Sequence, residues 1–141
     1  MTPKILIVDD EQYILESFYR FCKIRKWTAF TSNSCLEALD ILQKESIDII
    51  ISDMRMPEMD GVTFLTKAKA LSPQSIRILL TGYADMKAVE NAVNEAKLYS
   101  YLSKPWDDQM LESVINSAVD FKAKEDERLR LIDEIAGKKK N

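Results

Sequence analysis

Histidine is absent from the 141-residue chain. That excludes a Ser-His-Asp triad, a His-ligated zinc, an imidazole general base and a phosphohistidine donor. Glycine occurs only as Gly61, Gly82 and Gly137, too sparsely for a G-x-G-x-x-G turn or a P-loop to cradle phosphate. The cysteines, Cys22 and Cys35, are too few for a disulfide framework. They lack C-x-x-C spacing and read as small buried hydrophobes. No apolar run approaches the roughly 20 residues of a membrane span, and the acid-rich start MTPKILIVDDE is unlike a signal peptide. A reduced, cytoplasmic chain without membrane attachment is expected. The balance of 20 Lys+Arg against 23 Asp+Glu, net −3, provides no basic field for direct nucleic-acid binding. With 46% hydrophobic residues, the chain can bury the core of one globular domain.

What is present alternates. Short apolar runs occur at Lys4–Val8, Trp27–Thr31, Ile47–Ser52, Ile76–Thr81 and Tyr99–Leu102. Four are continuous rather than alternating, as strands covered on both faces are; the Trp27 run is the weakest and belongs at an edge. Between them lie stripes at helical spacing: Ile14, Phe18, Phe21 and Cys22; Cys35, Leu39 and Leu42; Leu65, Ala68 and Leu71; Val89, Ala92, Val93 and Ala96; Leu111, Val114, Ile115, Ala118 and Val119. Each is a core-facing stripe. Ser34 with Glu37 three later reads as a capping box opening the second helix. Alternating strands and helices predict an α/β fold, a doubly wound, flavodoxin-like parallel sheet in order 2-1-3-4-5 with five helices. No proline or glycine interrupts residues 106–136, so the last helix should run about 45 Å and project beyond the body. Residues 3–121 form the expected domain. Residues 122–141 form a helical extension toward an output domain, with Leu129, Ile132 and Ile135 as an apolar stripe and Lys138–Lys140 as a solvated end.

The informative polar residues follow strands: Asp9, Asp10 and Glu11 the first, Asp53 the third, Thr81 and Gly82 the fourth, Lys104 and Pro105 the fifth. In this topology the carboxyl ends of strands 1 and 3 meet at the switch point, where ligands bind. Three carboxylates brought together repel one another. A hard divalent cation relieves that repulsion, and Mg²⁺ takes one or two carboxylates, waters and a phosphate oxygen. Lys104 adds positive charge and Thr81 a hydroxyl, a set suited to a transferred phosphoryl group. Asp53, alone at its strand end before the loop MRMPEMDG, is the best candidate nucleophile. Individually these residues also have ordinary uses: Glu11 is expected to cap the first helix, and Lys-Pro often marks a turn.

As a set, ILIVDDE, IIISDMRMPEMDG, LLTGY and YLSKP make the chain similar to the receiver domain of two-component response regulators, over roughly Pro3 to Phe121. The resemblance implies that Asp53 accepts phosphoryl from a sensor histidine kinase or phosphotransfer protein. It implies Mg²⁺ held by Asp9, Asp10, Asp53 and the Arg55 main-chain carbonyl, with Asp10 most direct. It makes Thr81 and Tyr101 the switch residues, Thr81 turning toward the phosphoryl group and Tyr101 rotating inward. The Lys104–Pro105 bond is expected to be cis, which would aim the Lys104 ammonium at Asp53. GYAD and KPWD (82–85 and 104–107) resemble receivers attached to HD-GYP phosphodiesterases or to activators of hydrogenase genes.

Such a module is not a metabolic enzyme; it catalyses only its own phosphotransfer and slow autodephosphorylation. Arg55 and Tyr83, bulky and two residues past Asp53 and Thr81, should obstruct hydrolytic water and prolong the phosphorylated state. The segment AKLYSYL lacks the acid that many DNA-binding regulators use to dimerise through helix 4, strand 5 and helix 5. That dimer mode is therefore not expected to be strong, and the C-terminal stripe is too short to pair tightly alone, so dimerisation through that face or the C-terminal helix is expected to be weak and phosphate-enhanced. Two other functions compete: a metal-dependent phosphatase, for which the D-x-D-x-T pattern is not supplied, and a receiver-like adaptor without phosphate turnover.

Overall fold

The computed structural model describes residues 2–82 and 86–139, which contain five strands and five helices in strict alternation. They are β1 (Lys4–Val8), α1 (Gln12–Ile24), β2 (Thr28–Ser32), α2 (Cys35–Lys44), β3 (Ile49–Asp53), α3 (Gly61–Leu71), β4 (Ile76–Thr81), α4 (Met86–Glu95), β5 (Ser100–Ser103) and α5 (Asp108–Lys139). The sheet is parallel, ordered β2-β1-β3-β4-β5, as the alternation predicts. Three strands are displaced from their expected positions: β2 and β5 start one residue later than the apolar runs, and β3 starts two later, leaving Ile47 in the core but outside the ladder.

Successive residues of each central strand serve opposite layers. Ile5 and Ile7, Ile49 and Ile51, and Ile78 and Leu80 pack with Phe18 and Cys22 of α1 and Leu111 and Ile115 of α5. Leu6, Val8, Ile50 and Leu79 pack with Cys35, Phe64, Leu65, Ala68 and Ala92 of α2, α3 and α4, and with Ala96 just past α4. Burying one such side chain is worth about 1.5–3 kcal/mol, so the three inner strands anchor the fold. β5 departs from the expected pattern: only Leu102 is buried, because β5 is an edge strand. Leu71 and Val93 are exposed rather than part of the core stripes; they lie just outside the arcs of α3 and α4 that face the sheet. Cys22 and Cys35 are buried and free, and burial pushes their thiols up to about 12 and about 11.

The helix starts are built locally. Ser34 Oγ accepts from Glu37 N at 3.3 Å, but this is half a capping box, since Ser34 N donates instead to Ser32 Oγ at 3.2 Å. Asp60 caps α3 through Thr63 N at 2.7 Å. Glu11 occupies the N-cap position of α1 without capping it. Its carboxylate is drawn to a lysine instead, a correction with consequences for the site. α5 continues unbroken through Gly137. Its segment past Phe121 begins against the body: Lys122 is buried, 2.8 Å from Asp126 and 3.9 Å from Asp48. Farther on, Leu131, Ile132 and Ile135 are exposed. Among the described residues no helix is long and apolar enough to cross a membrane.

Candidate functional site at the carboxyl edge of the sheet

Parallel strands joined by right-handed crossovers bring their carboxyl ends to one edge. At that edge β1 delivers Asp9 and Asp10, β3 ends on Asp53, β4 on Thr81, and Lys104 follows β5. Asp9, Asp53 and Thr81 are buried, whereas Asp10 is exposed. One carboxylate oxygen from each of Asp9, Asp10 and Asp53 lies within 4.8 Å of the others. The Lys104 ammonium stands 2.7 Å from Asp9 Oδ2, 3.2 Å from Asp53 Oδ1 and 3.4 Å from Glu11 Oε1. Lys104 N donates to Thr81 O at 2.8 Å, tying the ends of β4 and β5. The Lys104–Pro105 peptide bond is cis.

The electrostatics follow from burial. Desolvation raises the Asp9 carboxyl above its ordinary value, and the hydrogen bonds from Lys104 and Glu11 N offset this only in part. Desolvation also raises Asp53, with the Asp9 charge adding to it and Lys104 opposing. For Lys104 desolvation acts downward, but its hydrogen bonds and charge attraction to Asp9 and Asp53 together hold it above its ordinary value. One ammonium therefore answers several carboxylates. Asp9 Oδ2 is buried, and the Lys104 ammonium meets it at 2.7 Å. An acidic, oxygen-only donor set with excess negative charge suits a hard divalent cation. Asp9, Asp10 and Asp53 together offer three carboxylate oxygens that fit such an ion.

The loop 54–60 leaves β3 and returns sharply: Met54 N donates to Leu80 O and Gly61 N to Met54 O, both at 2.8 Å. Gly61 is required by close approach, because a Cβ there would run into the Asp53 carbonyl. Arg55 is exposed beyond Asp53, and Tyr101 is 42% exposed. Tyr83 lies outside the described residues. A groove of about 420 Å³ between α1 and the Pro105–Trp106 turn lies beside the cluster, lined by none of Asp9, Asp10, Asp53 or Thr81. Sequence reasoning missed Glu11 as a Lys104 partner and passed over Arg77 inside the IRILLT run. The charge within an apolar run was the available signal for Arg77.

A 2-1-3-4-5 parallel sheet with three clustered carboxylates and a lysine at its switch point defines a CheY-like receiver fold. The response regulator receiver domain family model matches residues 5–116, and the chain belongs to that family, the receiver modules of two-component response regulators. Among its relatives, the hydrogenase transcriptional regulatory protein HoxA of Cupriavidus necator is 32% identical over 127 residues, 90% of this chain and 26% of that protein. The chain thus spans about a quarter of the length of the hydrogenase regulators it matches. Sporulation initiation phosphotransferase F of Bacillus subtilis is 28% identical over 87% of this chain and 98% of its own. The signal receiver domain of an HD domain-containing protein from Pseudomonas fluorescens superposes with a TM-score of 0.85 at 37% identity, covering 90% and 93% of the two chains. The names of the hydrogenase regulators and of the HD domain-containing protein are consistent with the likeness of GYAD and KPWD noted above.

Proposed function

We propose that the chain accepts a phosphoryl group on Asp53 from a sensor histidine kinase or a phosphotransfer protein and converts it into a change of interaction surface. The observation that carries this reading is the meeting of Asp9, Asp10, Asp53 and Lys104 at the switch point. An Asp53 oxygen attacks phosphorus, the donor's P–N bond breaks as the P–O bond forms, and the leaving imidazole takes a proton from solvent. Lys104, already 3.2 Å from Asp53, pairs with a phosphoryl oxygen, and Thr81 turns its hydroxyl to another. Asp9, Asp10, Asp53 and the Arg55 carbonyl would hold Mg²⁺, which would supply positive charge for the transferring group. Tyr101 follows Thr81 inward, and the face of α4, β5 and α5 is the bistable element biased by the new bonds.

The receiver body comprises residues 3–121, and residues 122–141 lead toward an output. The module works in the cytoplasm, and dimers form weakly through the α4–β5–α5 face or the C-terminal helix. Sedimentation with and without beryllofluoride, on the chain whole or cut after Phe121, tests this; unchanged assembly after truncation makes the extension a passive linker. Arg55 slows hydrolysis at the mouth of the site, and Tyr83 is assigned the same role. If Arg55→Ala and Tyr83→Ala hold phosphate as long as wild type, that shielding fails.

Uptake from acetyl phosphate or phosphoramidate decides among functions. Stable label on Asp53 supports the receiver reading. Turnover of an unrelated phosphoester would favour a phosphatase, and no uptake an adaptor.

A further inference from the structure

Glu58 lies in the loop 54–60 and takes no part in the acidic cluster. Its exposed carboxylate crosses back to the start of α2 instead. Oε1 accepts from Cys35 N at 3.1 Å and Oε2 from Ser34 Oγ at 3.3 Å. Two residues earlier, Met56 Sδ sits 3.7 Å from Cys35 Sγ. The first N–H groups of a helix have no partner within it and carry its positive dipole end. Ser34 supplies one acceptor to α2 from within, and Glu58 supplies another from a separate element. The loop is thereby held at its base by Met54 and Gly61 and at its middle by Met56 and Glu58. Arg55 lies between these anchors.

We propose that Glu58 is a positioning residue for the cation site: by latching the loop 54–60 to the start of α2, it holds the Arg55 main-chain carbonyl where Mg²⁺ needs it. This rests on the reading of the site as Mg²⁺-dependent. The latch is a hydrogen bond to a main-chain N–H more than a charge, so an amide retaining the acceptor should largely replace it. A carboxylate acting only through its field on a nearby cation would not be replaced that way.

The test is a Mg²⁺ titration of the full chain followed by Trp106 fluorescence, with thermal unfolding recorded in the absence of metal. Wild type, Glu58→Ala, Glu58→Gln, Ser34→Ala and Asp10→Ala are compared. Glu58→Ala should weaken Mg²⁺ binding about three- to tenfold, the range a lost helix-cap bond implies. Glu58→Gln should recover most of the loss, because its amide oxygen still accepts from Cys35 N. Ser34→Ala, which removes the other partner, should give a smaller loss, and carries the test if Glu58→Ala folds poorly. Unchanged Mg²⁺ affinity in Glu58→Ala overturns the proposal, whatever happens to its unfolding temperature. Equal losses in Glu58→Ala and Glu58→Gln assign the effect to charge and also overturn it. A wild type that ignores Mg²⁺, or an Asp10→Ala variant that binds it equally well, overturns the functional reading itself and the latch with it.

Discussion

At the carboxyl edge of the sheet Lys104 is nearly buried among Asp9, Asp53 and Glu11, while toward the opposite edge Arg77 is buried within β4 among main-chain carbonyls. Arg77 Nε donates to Ala96 O at 2.6 Å, and Nη1 to Ser75 O at 2.8 Å and Pro73 O at 3.4 Å. Both cations lose hydration on burial, but they are compensated differently. Carbonyls satisfy the guanidinium without adding net charge, so burial leaves Arg77 below its ordinary value; it stays protonated and asks for no ligand. The carboxylates around Lys104 outnumber it, so that end carries excess negative charge that a further cation would balance. One buried cation closes a joint between α4 and β4, and the other leaves a site open.

The largest test of that contrast is Asp53→Asn. Phosphoryl uptake from a small donor should vanish, because an amide is no nucleophile, while the metal-free protein should be equally or more stable, its charge crowding relieved. Uptake at an unchanged rate would remove Asp53 from the chemistry.

Arg77→Leu should break the other end instead. It strands several carbonyl acceptors and should cost about 2–3 kcal/mol in urea unfolding, with Mg²⁺ affinity unaltered. A tenfold loss of Mg²⁺ affinity would show that the two ends are coupled.

pH sharpens the comparison further. Asp9 and Asp53 are raised above the ordinary 3.8, chiefly by burial. The folded chain then holds protons that the unfolded chain has released, so metal-free stability should fall as pH rises from about 3.8 through the raised values. If the proposed site takes Mg²⁺, the ion competes with those protons for the ionised, folded form and should oppose that fall. Lys104, raised above 10.5, contributes stability present below that value and lost as pH climbs past it. Unfolding scans with EDTA and with Mg²⁺ across this range measure both; identical slopes in the two buffers would contradict the assignment.

The smallest effect belongs to the joint at Arg77. Lys97, just past the Ala96 carbonyl that Arg77 holds, has φ 53°. Lys97→Gly should stabilise by about 0.5 kcal/mol, seen as a small rise in unfolding midpoint with Mg²⁺ binding unchanged. A loss of stability would mean the lysine side chain contributes more than the left-handed backbone costs.

Much of this molecule is written in local pattern. The runs ILIV, IIIS and IRILL are apolar because β1, β3 and β4 are covered on both faces. The stripe from Ile14 to Cys22 is legible because one helix face meets the sheet. Asp9, Asp10, Asp53 and Lys104 could be brought together on paper because parallel strands end on one side, whatever their side chains do. Tertiary structure alone decided the rest. That Glu11 turns to Lys104 instead of capping α1, that Glu58 reaches Cys35, 23 positions away, and that Arg77 is satisfied by Ala96, 19 positions on, depends on neighbours from other elements. So does the exposure of Leu71 and Val93. A polar group's partner is set by which acceptors and donors packing leaves unpaired nearby, and periodicity within one segment carries no record of that.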